Sequence, residues 1–145
     1  MIERVAQSLE HLGVPAERVD AGLTVELPSE RRGSFTVLIM STERAISLRA
    51  FIMRNPDRNH EAVYHRLLAK NFASNDWRFA INAYDDVFLT AYVPHAFAEP
   101  DILDGLLGGA CAMVDAVFEG IARVGFDIPQ DVSLRPPTAP SPESS

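Results

Sequence analysis

Ile2, Val5, Leu9 and Leu12 recur at spacings of three and four with Glu3, Arg4, Glu10 and His11 between them, which predicts an opening amphipathic helix stopped by Gly13 and Pro15. Strand patterns follow. Leu23, Val25 and Leu27 alternate with Thr24 and Glu26, as in a strand with one wet face, and Pro28 closes it. Phe35 to Met40 is apolar almost throughout and predicts a central strand covered on both sides. After a polar turn from Ser41 to Arg44, the stretch Ile46 to Met53 reads as a third strand. Ile46, Leu48, Ala50 and Ile52 share one face, and Ser47, Arg49, Phe51 and Met53 the other.

Beyond Asn55 and Pro56 the period lengthens: Val63, Tyr64, Leu67, Leu68 and Phe72 mark a helix, with Asn59 its expected cap and Glu61 near its positive end. Alternation then returns twice, in Trp77, Phe79 and Ile81 against Arg78 and Ala80, and in Val87, Leu89, Ala91 and Val93 against Phe88, Thr90 and Tyr92. An odd loop such as Tyr84 to Asp86 would set Phe79 and Ile81 beside Ala91 and Leu89; this is the expected register, since a two-residue loop would flip the faces. The last element is the longest, about Asp101 to Val124, with Leu103, Leu106, Leu107, Ala110, Met113, Val114, Val117, Phe118 and Ile121 as its stripe between Pro100 and Gly125. Gly105, Gly108 and Gly109 each weaken a helix by ~1 kcal/mol relative to alanine, so they are expected to mark close packing against the chain's own sheet or a second subunit. The order is α-β-β-β-α-β-β-α. Its short antiparallel links make this an α+β domain, an antiparallel sheet packed with helices.

Composition narrows the function classes. Thirteen basic and 20 acidic side chains in 145 residues leave a net charge of −7, which argues against coating nucleic acid or an anionic membrane. No stretch reaches the ~20 apolar residues of a bilayer span. Met1 to Leu12 is too charged for a secretory signal, and the lone Cys111 has no disulfide partner, so a cytoplasmic location is expected. Five of the ten prolines crowd into residues 129–145 beside Ser and Thr, which divides the chain into a folded domain over 1–128 and a Pro/Ser-rich tail, expected to be disordered, over 129–145. Truncation after Ile128 is expected to leave the thermal midpoint nearly unchanged; a loss of several degrees would show that the tail docks on the domain.

Candidate chemistry is sparse. His60-Glu61 has the start of a zinc-protease motif, but position 64 is Tyr, and His65 stands about 140° round the helix from His60. No metal or cofactor is expected. Cys111, between Ala110 and Ala112, reads as a small buried hydrophobe. Asp85-Asp86 reads as a solvated turn. Arg31, Arg32 and Gly33 read as a solvated loop, and the glycines at 105, 108 and 109 lack the strand and Lys-Ser pair of a phosphate cradle. The sheet face opposite Trp77, Phe79 and Ile81 is the surface of interest. It is expected to gather Arg78, Ala80, Phe88 and Tyr92, joined by Arg49 and Phe51 if the third strand's register agrees, and Arg and aromatics without Lys or Glu are types enriched where proteins bind.

Asn55-Pro56, Leu67-Leu68-Ala69-Lys70-Asn71, Trp77-Arg78-Phe79-Ala80-Ile81, Asp85-Asp86-Val87-Phe88-Leu89, Val93-Pro94 and the Leu106-Leu107 helix ending in Val124-Gly125-Phe126 resemble the YbjN family. That family shares the fold of type III secretion chaperones, including those like the Tir chaperone. The resemblance implies a chaperone-like fold, a homodimer and no catalytic residue to carry over. The function expected is a non-catalytic protein-binding module, chaperone-like or regulatory, that holds an extended or helical segment of a partner protein on Arg49, Phe51, Arg78, Phe88 and Tyr92 or pairs through them. The alternative is a small-molecule binding or hydrolytic domain in which His65, Tyr64 and a carboxylate converge across the fold.

Overall fold

The computed structural model describes residues 2–126. The tail assigned to 129–145 lies outside the described residues. α1 (Ile2–Leu12) buries Val5, Ser8 and Leu9 and stops where Gly13 adopts φ 75°, a conformation that glycine enters without steric cost. The strands are β1 (Glu17–Val19), β2 (Gly22–Leu27), β3 (Phe35–Ser41), β4 (Ala45–Met53), β5 (Arg78–Ile81) and β6 (Val87–Pro94). α2 (His60–Phe72) separates β4 from β5, and a 3-10 turn (His95–Phe97) leads from β6 into α3 (Pro100–Gly125). The strands form one antiparallel six-stranded sheet in the order β1-β2-β3-β4-β6-β5. β1 was not legible from alternation, because it is three exposed residues long.

One face of the sheet carries the core. Leu23, Val25, Val37, Ile39, Ile46, Leu48, Ala50, Ile52, Leu89 and Ala91 lie buried on it, beneath Val5, Leu9, Val63, Leu103, Ala110, Val114 and Phe118 of the helices. α3 is by length and composition long and apolar enough to cross a membrane, but ten of its residues, among them Leu103, Phe118 and Ile121, are buried inside this fold. It is the core helix.

Several expectations need correction. β3 is interior in the sheet but not covered on both sides: Val37 and Ile39 are buried, while Thr36 is exposed and Leu38 and Met40 are half-buried on the far face. Its continuous apolar run reflects an apolar outer face and not a second layer of helix. Met53 does not share a face with Phe51, because an irregularity between the two turns it inward and leaves it fully buried. The β5–β6 loop is odd, as expected, but spans residues 82–86, so Phe79 pairs with Leu89 and Ile81 with Val87, two residues from the expected register. Asn82 lengthens the turn: its Oδ1 accepts from the amides of Tyr84 and Asp86. The faces survive the shift, since the period is two. Ile81 remains 45 % exposed because β5 is the edge strand.

Asn59 does not cap α2 with its side chain. It sits in the left-handed region at φ 57°, and its Nδ2 donates to Val124 O at 2.8 Å, tying α2 to the end of α3. Arg32 is not solvated either. It is 5 % exposed, its Nε donates to Ile52 O at 2.8 Å and its guanidinium also to Ser34 O, and burial lowers its pKa. Arg31, beside Glu119, and Gly33 do reach solvent.

Candidate functional site

The register of β4, β5 and β6 decides where the sequence-derived surface residues fall. Phe51 pairs with Phe88 and Phe88 with Ala80; Arg49 pairs with Thr90 and Thr90 with Arg78; Ser47 pairs with Tyr92. Arg49, Phe51, Arg78, Phe88 and Tyr92 therefore share the face turned away from the helices. Phe51 and Phe88 meet edge to face with ring centroids 5.6 Å apart, which holds both rings upright and half-buried. Arg49 and Arg78 flank Thr90 in one row across three strands, exposed, and neither enters an ion pair among the described residues. Leu38 and Met40 extend the apolar area onto β3. The result is an aromatic and aliphatic floor crossed by two cations, on a chain whose net charge is −7.

A second surface was not legible in the sequence. α2 buries only Val63 and Leu67, while Leu68 is exposed and Phe72 stands 95 % in water. With Ile81 and Tyr84, also exposed, these residues form an apolar ridge along α2 and the β5 edge. Between ridge and strand is a notch of about 190 Å³ lined by Tyr64, Leu67, Leu68, Phe79, Ala80 and Ile81. Helical periodicity signals that Leu68 and Phe72 face something; it cannot say whether that is the chain's own core.

The β5 edge beside this ridge is capped at Phe79. Phe79 N donates to Asn71 Oδ1 at 2.7 Å, and Asn71 Nδ2 donates to Phe79 O at 3.0 Å. One carboxamide thus satisfies both backbone groups of Phe79, one of the two residues of β5 whose backbone faces outward, the other being Ile81. The last turn of α2 acts as a plug.

The groups considered for chemistry do not assemble. Tyr64 faces the β5 notch with its hydroxyl buried and without a hydrogen-bond partner, and burial, with the nearby Asp85 carboxylate, pushes its pKa up. His65 lies in a shallow surface depression with Asn59, His60, Glu61 and Arg66 instead. His60 Nε2 is 2.7 Å from Asn55 Oδ1, and its ring packs against Tyr64. Asp86 is structural: its Oδ1 accepts from Asn55 N at 2.8 Å. Cys111 is half-buried, and burial with the neighbouring Asp115 raises its thiol pKa, the opposite of what a nucleophile needs.

The glycines of α3 divide. Of the three glycines expected to mark close packing, only Gly109 lies against the chain, where a Cβ would stand 3.5 Å from the Trp77 ring; outside that set, a Cβ on Gly120 would meet the Arg66 guanidinium. Gly105 and Gly108 face open space.

Comparison with known proteins matches residues 2–123 to the family model YbjN, described as "Putative bacterial sensory transduction regulator". The chain belongs to the YbjN family. An uncharacterized protein of Mycobacterium leprae (ML2442) is 32 % identical over 104 residues, and one of Mycobacterium tuberculosis (Rv0487) is 30 % identical over the same length. Those matches cover 72 % of this chain but only 56 % and 57 % of the relatives, so the chain spans little more than half the length of the curated relatives it matches. Among solved structures, YbjN from E. coli superposes with TM-score 0.64 at 13 % identity, covering 82 % of this chain and 92 % of that one. The ExsC-ExsE complex superposes with TM-score 0.58 at 16 % identity, covering 83 % and 92 %. The family and the type III secretion chaperone-like fold implied by the residues from Asn55 to Phe126 are right.

Proposed function

We infer that this protein is a non-catalytic, cytoplasmic binding module that works as a homodimer and holds a segment of a partner protein across the open face of its sheet. The observation that carries the reading is that face. The core helices all pack on the opposite side, leaving Leu38, Met40, Phe51, Phe88 and Tyr92 with Arg49 and Arg78 in contact with water. A chain retains such an exposed apolar surface at a cost in solubility, and surfaces of this kind mark interaction sites. Arginines without carboxylate partners favour an occupant that brings its own acidic groups. The complex named for the ExsC-ExsE neighbour supports protein binding by this fold.

Homodimerisation is assigned to the α2 ridge and not to the sheet face. α2 runs antiparallel to β5, with Asn71 over Phe79 and Tyr64 beside Ile81. A two-fold axis across this edge brings Phe72 of one copy to the notch of the other. It also brings Lys70 at one end of the ridge toward Asp85 at the other. Knob meets hole and cation meets carboxylate, as a closed isologous pairing requires.

Native protein captured from its own cytosol after mild crosslinking is expected to carry a partner identifiable by mass spectrometry. Phe88→Asp with Tyr92→Asp is expected to lose that partner while keeping the native circular dichroism spectrum and dimer mass, with a thermal midpoint lowered by the lost Phe51–Phe88 contact. Recovery of the native chain alone would end the reading.

A further inference from the structure

Where β6 passes into the 3-10 turn, the sheet ends in a groove of about 390 Å³ that includes Tyr92, Phe97, Ile102, Gly105, Asp76 and Asp101. Its walls are large apolar side chains held in water: Tyr92 is 64 % exposed, Phe97 59 % and Ile102 43 %. Its rim is acidic. Neither Asp76 nor Asp101 enters an ion pair among the described residues.

The floor carries an independent signal. Gly105 lies inside α3, where glycine is the poorest helix former after proline. Its φ is not positive, so the backbone does not demand glycine. A Cβ there would meet nothing within 4 Å, so packing within the chain does not demand it either. Gly109, one turn on, lies against the Trp77 ring at ordinary contact distance, whereas Gly105, like Gly108, faces open space. The missing side chain leaves the helix backbone bare at the bottom of the groove.

We propose that this groove docks a segment of a partner protein in which a large apolar side chain is flanked by lysine or arginine. The apolar group rests over Gly105 between Tyr92, Phe97 and Ile102, and the flanking cations meet Asp76 and Asp101. A second copy of this chain is the poorer occupant, since a two-fold contact here would set the acidic rims against each other on chains of net charge −7. The inference rests on the protein-binding reading above and adds the chemistry of the partner. Tyr92 belongs to both surfaces, so a segment crossing the sheet face continues into the groove.

The test uses the full chain, ¹⁵N-labelled, and three end-blocked tetrapeptides: lysine–leucine–phenylalanine–lysine, its glutamate counterpart, and lysine–serine–serine–lysine. The first is expected to shift the amides of Phe97, Ile102 and Gly105. Binding should weaken at least tenfold for either other peptide, for Asp76→Asn with Asp101→Asn, and for Gly105→Leu. Gly105→Leu fills the groove with a better helix former, so its thermal midpoint should not fall. Equal binding of the glutamate peptide, unchanged binding by Gly105→Leu, no binding of the first peptide at millimolar concentration, or shifts confined to the sheet face would each overturn the proposal. Tighter binding by a chain truncated after Ile128 would assign the groove to residues 129–145 and overturn it as well. Partner capture that survives Gly105→Leu but not Phe88→Asp with Tyr92→Asp removes the groove and leaves the protein-binding reading standing.

Discussion

Light scattering at micromolar concentration is expected to give about twice the 16.0 kDa chain mass for the native protein, and the single-chain mass for a variant carrying Leu68→Asp and Phe72→Asp. Phe72 is 95 % and Leu68 66 % exposed in the isolated chain, so neither substitution removes core packing. Burying a side chain of this size contributes roughly 1.5–3 kcal/mol, and the proposed pairing would bring four such groups together. That total is of the order of the entropy lost on association, so the ridge decides whether the dimer forms. Placing carboxylates there removes the apolar gain and adds charges to be desolvated, and the dimer constant should weaken by more than about a hundredfold. The fold should persist, with an unchanged far-ultraviolet circular dichroism spectrum. A dimer unaffected by the two changes would sink the placement on α2; a monomeric native chain would sink the dimer itself.

Trp77→Ala is expected to cost more stability than any surface change, about 3–5 kcal/mol. The ring is 2 % exposed, lies 3.5 Å from the Cβ position of Gly109, and donates its Nε1–H to Leu106 O at 2.9 Å. It joins the start of β5 to the middle of α3, and truncation opens a cavity between them that a glycine cannot fill. For a chain of this size the thermal midpoint should fall by roughly 10–20 °C. Trp77→Phe keeps most of the ring and loses the hydrogen bond, so its loss should be about 1–2 kcal/mol. Urea denaturation followed by circular dichroism separates the two, and a loss below about 1 kcal/mol for Trp77→Ala would show that Gly109 and the ring do not form a tight contact.

Periodicity carried much of the fold because most elements have one wet face. Leu23, Val25 and Leu27, or Ile46, Leu48 and Ala50, could alternate only if a core lay on one side. It misled at β3, where Leu38 and Met40 look like core residues but face outward. It misled again at Leu68 and Phe72, because the helical stripe is wider than the part that the sheet covers. The Arg and aromatic face was legible through parity alone: a register error of two residues between β5 and β6 leaves Arg78, Phe88 and Tyr92 on the same side. The groove at Phe97 and Ile102 was not, since it joins a 3-10 turn to a helix start and has no period to read. Arg32 gave no sign of burial, because its partners are backbone carbonyls, which a sequence does not display.

Asn71 holds a consequence for how this molecule behaves at high concentration. A sheet with two free edges can add copies of itself end to end without limit, and the open strand is the template. Here one end is β1, three residues long and carrying Glu17 and Arg18, and the other is the four-residue β5, capped at Phe79 by a single carboxamide. That amide denies a strand from another copy the Phe79 position of the edge. Growth of a filament along the hydrogen-bonding direction is therefore disfavoured at both ends, by shortness and charge at β1 and by the capped Phe79 at β5, while side chains on the open face and the ridge remain available to grip a partner.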